Sequence, residues 1–177
     1  PHDPIRKVYK TPNGKFQYIY HPYWILLTKV LKFRKMKVLC GKINKFKHRG
    51  VSTSKDNVLH NMIYLVLHTC IRMGNVDSGV SKEDHVGLVA LTKKHLVVRQ
   101  GVTKLEFVGK SGVKHSIGIV DNHCEKILRV ASKTPGVHLF MYKALKHPVP
   151  HLGEYKRPEV SGYARATADD LNAYIKT

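Results

Sequence analysis

A chain of 177 residues, 42% of them hydrophobic, can fill the core of one sizeable domain, or of one domain with a small appendage, which excludes a disordered tail. Its 31 Lys+Arg stand against 12 Asp+Glu, a formal charge of +19 with histidines neutral. A charge of that size repels itself unless a polyanion lies against it. Because the basic residues are spread through folded-looking sequence, nucleic acid is the expected partner, ahead of an acidic protein or a membrane surface.

Residues 1–21 are polar, carry turn signals at Pro12-Asn13-Gly14 and end in the alternating run Phe16-Gln17-Tyr18-Ile19-Tyr20, which predicts a short strand and an entry arm. Pro22 suits a first helical position, and Trp24, Leu27, Leu31, Val38 and Leu39 then recur at near-helical spacing among Lys29, Lys32, Arg34, Lys35 and Lys37. This pattern predicts a basic amphipathic helix. After a lysine-rich connector from Gly41 to Gly50, Ser52-Thr53-Ser54 offers an N-cap to a helix expected from about Lys55 to Met73. Its centre, Met62 to Leu67, is apolar nearly all round, as in a helix at the middle of a core. Arg72 falls near its end, before a stop at Gly74.

From His95 to Val120 the period becomes two: Leu96 and Val98, then Leu105 and Phe107, then His115, Ile117 and Ile119. The runs are separated by Gln100-Gly101 and by Gly109-Lys110-Ser111-Gly112, which predicts a three-stranded antiparallel β-meander with Lys110 at its second hairpin tip. Beyond it are expected a helix over 122–132, a turn at Pro135-Gly136, a short helix over 139–145, a loop over 146–162 and a last helix opening at Thr167-Ala168-Asp169-Asp170. No internal repeat is present. The expected fold class is α+β, mainly α-helical with the meander.

Cys40, Cys70 and Cys124 are odd in number and far apart, so neither a disulfide framework nor a cysteine-rich zinc site is indicated, and a reducing compartment fits best. No run reaches the ~18 apolar residues of a membrane span. The opening Pro1-His2-Asp3-Pro4 is not a signal peptide, so a soluble intracellular protein is expected. His147 and His151 have chelating helical spacing, but Pro148 and Pro150 lie between them. No metal and no cofactor are expected.

Two glycine-linked cations stand out, Arg72 in Ile71-Arg72-Met73-Gly74-Asn75 and Lys110 in the hairpin. Each has a bland reading: a helix-terminal arginine satisfies the last carbonyls, and a lysine in a glycine turn is solvated. Gly109-Lys110-Ser111 also has the ending of a P-loop, but that motif needs a glycine at position 104, where Lys104 stands, and strand pattern flanks the turn on both sides.

Six collinear stretches carry a family likeness: Gly14 to Pro22 with Trp24 and Lys32-Phe33; Ile71 to Asn75; Gly87 to His95; Phe107 to His115; Leu139-Phe140 with Tyr142; and Thr167 to Tyr174. In this order the chain resembles the type IB DNA topoisomerases, especially the compact poxvirus, giant-virus and bacterial enzymes. The resemblance implies metal-independent relaxation of supercoiled double-stranded DNA, in which a tyrosine attacks a phosphodiester to form a 3′-phosphotyrosyl link and free a 5′-hydroxyl. It makes Arg72 a catalytic arginine whose planar fork binds non-bridging phosphate oxygens, and Lys110 the general acid for the leaving oxygen. Lysine beside arginines gives up its proton more readily. Lys15, Gln17, Tyr18, Tyr20, Asn75 and Lys114 are implied DNA contacts.

In the family a second arginine, a histidine or its equivalent and the nucleophilic tyrosine follow the segment that Thr167 to Tyr174 resembles. None of the nine tyrosines here stands at the nucleophile's position. The expected organisation is therefore an entry arm over 1–21, the end of a small β region or linker, and an incomplete catalytic domain over 22–177. A truncated or proteolysed product, or a gene split into two polypeptides with a complementing C-terminal chain, would account for it. A non-catalytic basic DNA-binding module and a tyrosine-recombinase fragment stay open beside the enzyme. All place the protein at intracellular DNA, in a nucleus, nucleoid, viral factory or virion.

Overall fold

The computed structural model describes residues 4–43, 46–74, 86–144 and 160–176. The chain falls into two compact units divided between Lys47 and His48.

In the first unit, β1 (Ile5–Lys10) pairs antiparallel with β2 (Phe16–Tyr20). The turn between them closes as Gly14, at φ +76°, donates to the Thr11 carbonyl at 2.9 Å, while the Thr11 N–H and hydroxyl both donate to the Lys15 carbonyl. Strand β1 was not expected, because Arg6, Lys7 and Lys10 interrupt its apolar alternation. The helix beginning at Pro22, α1 (Pro22–Ile43), forms as expected. It is not two-sided, however. Tyr23, Ile25, Leu26, Phe33 and Met36 fill the sectors between the anticipated stripe, lysines interleave with them, and these apolar side chains are exposed.

The second unit is built on α2 (Lys55–Thr69), which packs against α3 (Asn122–Lys133), α4 (Ala168–Lys176) and β6 (Met141–Lys143). Leu59, Met62 and Leu65 of α2 are buried with Leu128, Leu139, Met141 and Leu171, whereas Ile63, Val66 and Leu67 of the apolar centre read from the sequence are half-buried, so one side of that centre occupies the core. The helix ends at Thr69, short of the expected Met73. Thr69 turns its hydroxyl back onto the Leu65 carbonyl at 2.6 Å, and Cys70 takes the left-handed conformation at φ 55° with its N–H on the Val66 carbonyl at 2.9 Å. A non-glycine residue supplies this cap, four positions before the glycine that the sequence offered.

Strands β3 (Leu96–Arg99), β4 (Val102–Val108) and β5 (Lys114–Gly118) form an antiparallel sheet in that order. Gln100 and Gly101, at φ 50° and 75°, make the two-residue turn that matches strand twist, with Arg99 opposite Val102. The expected short helix over 139–145 is instead strand β6, paired antiparallel with β7 (Tyr163–Arg165). Leu, Met and Lys favour a helix locally, but this pairing partner lies some twenty residues away, and tertiary pairing overrides propensity. At α4, Thr167 and Asp170 exchange hydrogen bonds across the first turn. No helix of the described residues is long and apolar enough to cross a membrane.

Candidate nucleic-acid interface

Arg72 lies in an extended segment between the left-handed Cys70 and Gly74, the latter at φ +73°. Ile71 is buried and anchors the segment, which leaves the Arg72 side chain exposed. The backbone is held from outside: the Leu88 N–H donates to the Arg72 carbonyl at 2.9 Å, and the Val89 N–H to the Met73 carbonyl at 3.0 Å. Gly74 and Gly87 sit back to back where these segments meet.

The same stretch reaches the lysine hairpin. Two residues before Leu88, the Val86 N–H donates to the carbonyl of Val108, the last residue of β4. At the tip the Gly109 N–H donates to the Val113 carbonyl at 2.7 Å and the Gly112 N–H to the Gly109 carbonyl at 3.2 Å. Ser111 and Gly112 are both left-handed, at φ 64° and 73°, and Lys110 projects into solvent. Gly109 itself is buried, because the His115 ring, stacked on Phe107 with centroids 4.9 Å apart, fills the space beside it. Residues 86–89 are thus a backbone bridge between the Arg72 segment and the base of the Lys110 hairpin.

Lys114 opens β5 opposite Val108 and is exposed, on the sheet face away from Phe107 and His115. Arg72, Lys110 and Lys114 belong to the second unit, whereas Lys15, Gln17, Tyr18 and Tyr20 belong to the first. In that first unit Tyr18 and Tyr20 share one face of the ribbon with Phe16, Gln17 points to the other with Ile19, and Lys15 closes the turn; all are exposed. The first unit carries twelve Lys+Arg against Asp3 as its single acid. Asn75, His147 and His151 lie outside the described residues.

Two nucleophile-type side chains, Tyr64 on α2 and Cys124 on α3, lie buried beside histidines. Tyr64 is ringed by His68, stacked at 4.0 Å, and by His123 at 5.0 Å, with His48 against His123 at 4.6 Å. Burial pushes the Tyr64 phenol up, and Asp121 and Cys124 add to it. Burial, with Asp121 beside it, pushes the Cys124 thiol up to about 12. Tyr174 instead ties α4 down: its hydroxyl lies 3.2 Å from His60 Nδ1 and accepts from Arg49 at 3.3 Å.

Sequence reasoning missed one arrangement beside these residues, the hold that Arg165 has on Val89. Its guanidinium donates twice to the Val89 carbonyl, from Nε at 3.2 Å and Nη2 at 2.9 Å. The sequence carried no signal for it: along a strand, neighbours face opposite sides, so an arginine between two alanines reads as an ordinary outward-facing position.

A family model described as the catalytic core of eukaryotic DNA topoisomerase I matches residues 27–177. DNA topoisomerase 1B of Acanthamoeba polyphaga mimivirus is similar, at 26% identity over 148 residues that cover 80% of this chain and 44% of that protein. The chain therefore spans less than half the length of that relative. Since the family match takes in α1 from Leu27 onward and every element of the second unit, the chain belongs to the DNA topoisomerase I catalytic-core family.

Proposed function

We propose that this chain is the DNA-clamping part of a type IB topoisomerase, in which Arg72 binds the scissile phosphate and Lys110 protonates the leaving 5′ oxygen. The observation that carries the reading is the backbone bridge, which ties the Arg72 segment and the Lys110 hairpin to one four-residue stretch. The α-helices and the β3–β5 sheet then take the catalytic-domain arrangement shared by type IB topoisomerases and tyrosine recombinases.

Duplex DNA is the substrate. A tyrosine hydroxyl releases its proton to solvent as its oxygen attacks phosphorus, the bond to the 5′ oxygen breaks, and the departing alkoxide takes a proton from Lys110, which solvent then reprotonates, leaving a 3′-phosphotyrosyl link. Reversal of the same steps religates the strand. The transition state is crowded and anionic, and Arg72 can donate two parallel hydrogen bonds to its non-bridging oxygens. The attacking tyrosine, with an arginine and a histidine, would come from sequence beyond the Thr167 to Tyr174 segment, in the same or a complementing polypeptide. Lys15, Gln17, Tyr18, Tyr20, Asn75 and Lys114 add groove and backbone contacts, so affinity falls steeply as salt rises. This reading puts the protein at DNA inside the cell or virion.

The test is plasmid relaxation without magnesium, using this chain together with a tyrosine-bearing C-terminal portion. Lys110→Ala is expected to slow strand cleavage by about 10²–10⁴. A substrate with sulfur at the bridging 5′ position should recover most of that loss, because a thiolate leaves without a proton. Full-rate cleavage by Lys110→Ala on ordinary DNA would remove Lys110 from the mechanism.

A further inference from the structure

We propose that Arg165 is a positioning residue for Arg72, acting through the backbone of residues 88 and 89; the inference rests on Arg72 being a phosphate-binding side chain. The geometry is a short relay. Arg165 donates from Nε and Nη2 to the Val89 carbonyl, the Val89 N–H donates to the Met73 carbonyl, and the Leu88 N–H donates to the Arg72 carbonyl. Each link joins separate parts of the chain: β7, the turn over Leu88–Ala90, and the extended segment that follows α2.

Arg72 depends on such a relay because it has left its helix. Its segment runs between two left-handed residues, Cys70 and Gly74, so the point from which its exposed side chain departs is set by that backbone. The Leu88–Ala90 turn that holds this backbone is a single 3₁₀ turn, and isolated turns of this kind are weak by themselves. A planar fork with two donors converging on one carbonyl fixes both the position and the orientation of the turn, and the bond is charge-assisted. Arg165 can be held this way because Ala164 and Ala166 on either side are fully buried, and because Arg165 is paired with Met141 across β6 and β7. The residue therefore connects the small β6–β7 ribbon to the backbone that carries Arg72.

The experiment combines amide hydrogen exchange on this chain with a double-mutant cycle for duplex DNA binding. Arg165→Gln should speed exchange at Leu88 and Val89 by about tenfold or more while leaving the core amides of Leu65 and Leu128 protected. It should weaken DNA binding about fivefold when Arg72 is present and add almost nothing in an Arg72→Ala background. Arg165→Lys, which keeps the charge and one donor, should recover most of both effects. If Arg165→Gln loosens the core amides too, Arg165→Lys decides: joint recovery at Leu88, Val89 and DNA supports the relay, and recovery of the core alone overturns it. Unchanged exchange at Leu88 and Val89, or an equal loss of affinity in both backgrounds, also overturns it. Should Arg72→Ala leave DNA affinity intact while exchange still responds to Arg165, the reading of Arg72 fails and the backbone relay stands.

Discussion

Gly74 and Gly87 pass so close that a Cβ on Gly87 would lie 2.5 Å from the Gly74 Cα, 2.7 Å from its nitrogen and 3.0 Å from the Arg72 carbonyl. Backbone cannot swing aside as the tip of a side chain can. Gly87→Ala must therefore part the two segments whose hydrogen bonds hold Arg72, at an expected cost of about 1–3 kcal/mol. Gly74→Ala meets the same collision, and its φ of +73° adds about 1 kcal/mol of left-handed strain. Urea unfolding midpoints and DNA affinity should fall together in both variants. A Gly87→Ala protein with an unchanged midpoint would show that the close approach is absent in solution.

At the other end of the bridge, a Cβ on Gly109 would lie 2.5 Å from Nε2 of His115 and 2.7 Å from its Cδ2. The obstacle here is a ring stacked on Phe107, which can be removed by substitution. Gly109→Ala should shift the hairpin tip and weaken whatever Lys110 does by about tenfold, whereas Gly109→Ala with His115→Ala should recover most of it. Strand-cleavage rates of the single and double variants give the comparison. Equal defects in both would mean that the ring does not set the tip.

The sequence read the sheet, α1, α3 and α4 nearly to their ends because each rests on local chemistry: Pro22 at a helix start, Gln100-Gly101 between alternating runs, Thr167 and Asp170 at a cap. It failed where distant pairing or a non-glycine cap decided the outcome. Met141 to Lys143 became a strand through pairing with Tyr163 to Arg165, and α2 stopped at Cys70 although Gly74 was the local stop signal. The candidate cations were legible from their glycine neighbours. What holds them, the bridge over 86–89 and its Arg165 clamp, was not, since backbone hydrogen bonds between segments leave no pattern in the side-chain sequence.

The histidines around Tyr64 predict a loss of stability in mild acid. Burial holds His123 below its ordinary value near 6.5, His48, Lys126 and His60 push the same way, and Asp121 opposes them. Burial, with Lys94, also lowers His95. Above about 6.5 these rings are neutral in both folded and unfolded chains and no penalty exists. As pH falls through 6.5 toward the lower folded values, the unfolded chain takes up protons that the folded one resists, so stability declines. The urea midpoint should drop between pH 7.5 and 5. His123→Phe, which keeps an aromatic ring but cannot titrate, should flatten that slope; an unchanged slope would exonerate His123.

Two of the contacts that Asp170 makes, with Thr167 and with Lys55, are of unequal worth, and the difference can be measured. Its carboxylate accepts the Thr167 N–H at 3.0 Å and the Thr167 hydroxyl at 2.8 Å, while Thr167 Oγ1 accepts the Asp170 N–H at 3.3 Å. The same carboxylate, itself only 8% exposed, faces Lys55 Nζ at 3.0 Å, and the lysine side chain is 44% exposed. Partly solvated ion pairs contribute little, whereas a lost N-terminal cap costs about 1–2 kcal/mol. Asp170→Ala should therefore lower the unfolding free energy by about 1–2 kcal/mol, and Lys55→Ala by under about 1 kcal/mol. Since α4 packs on α2 through Leu171, the Asp170 variant should also raise amide exchange along α4 before it does so in α3. Equal losses from the two substitutions would make the ion pair, not the cap, the feature that seats α4.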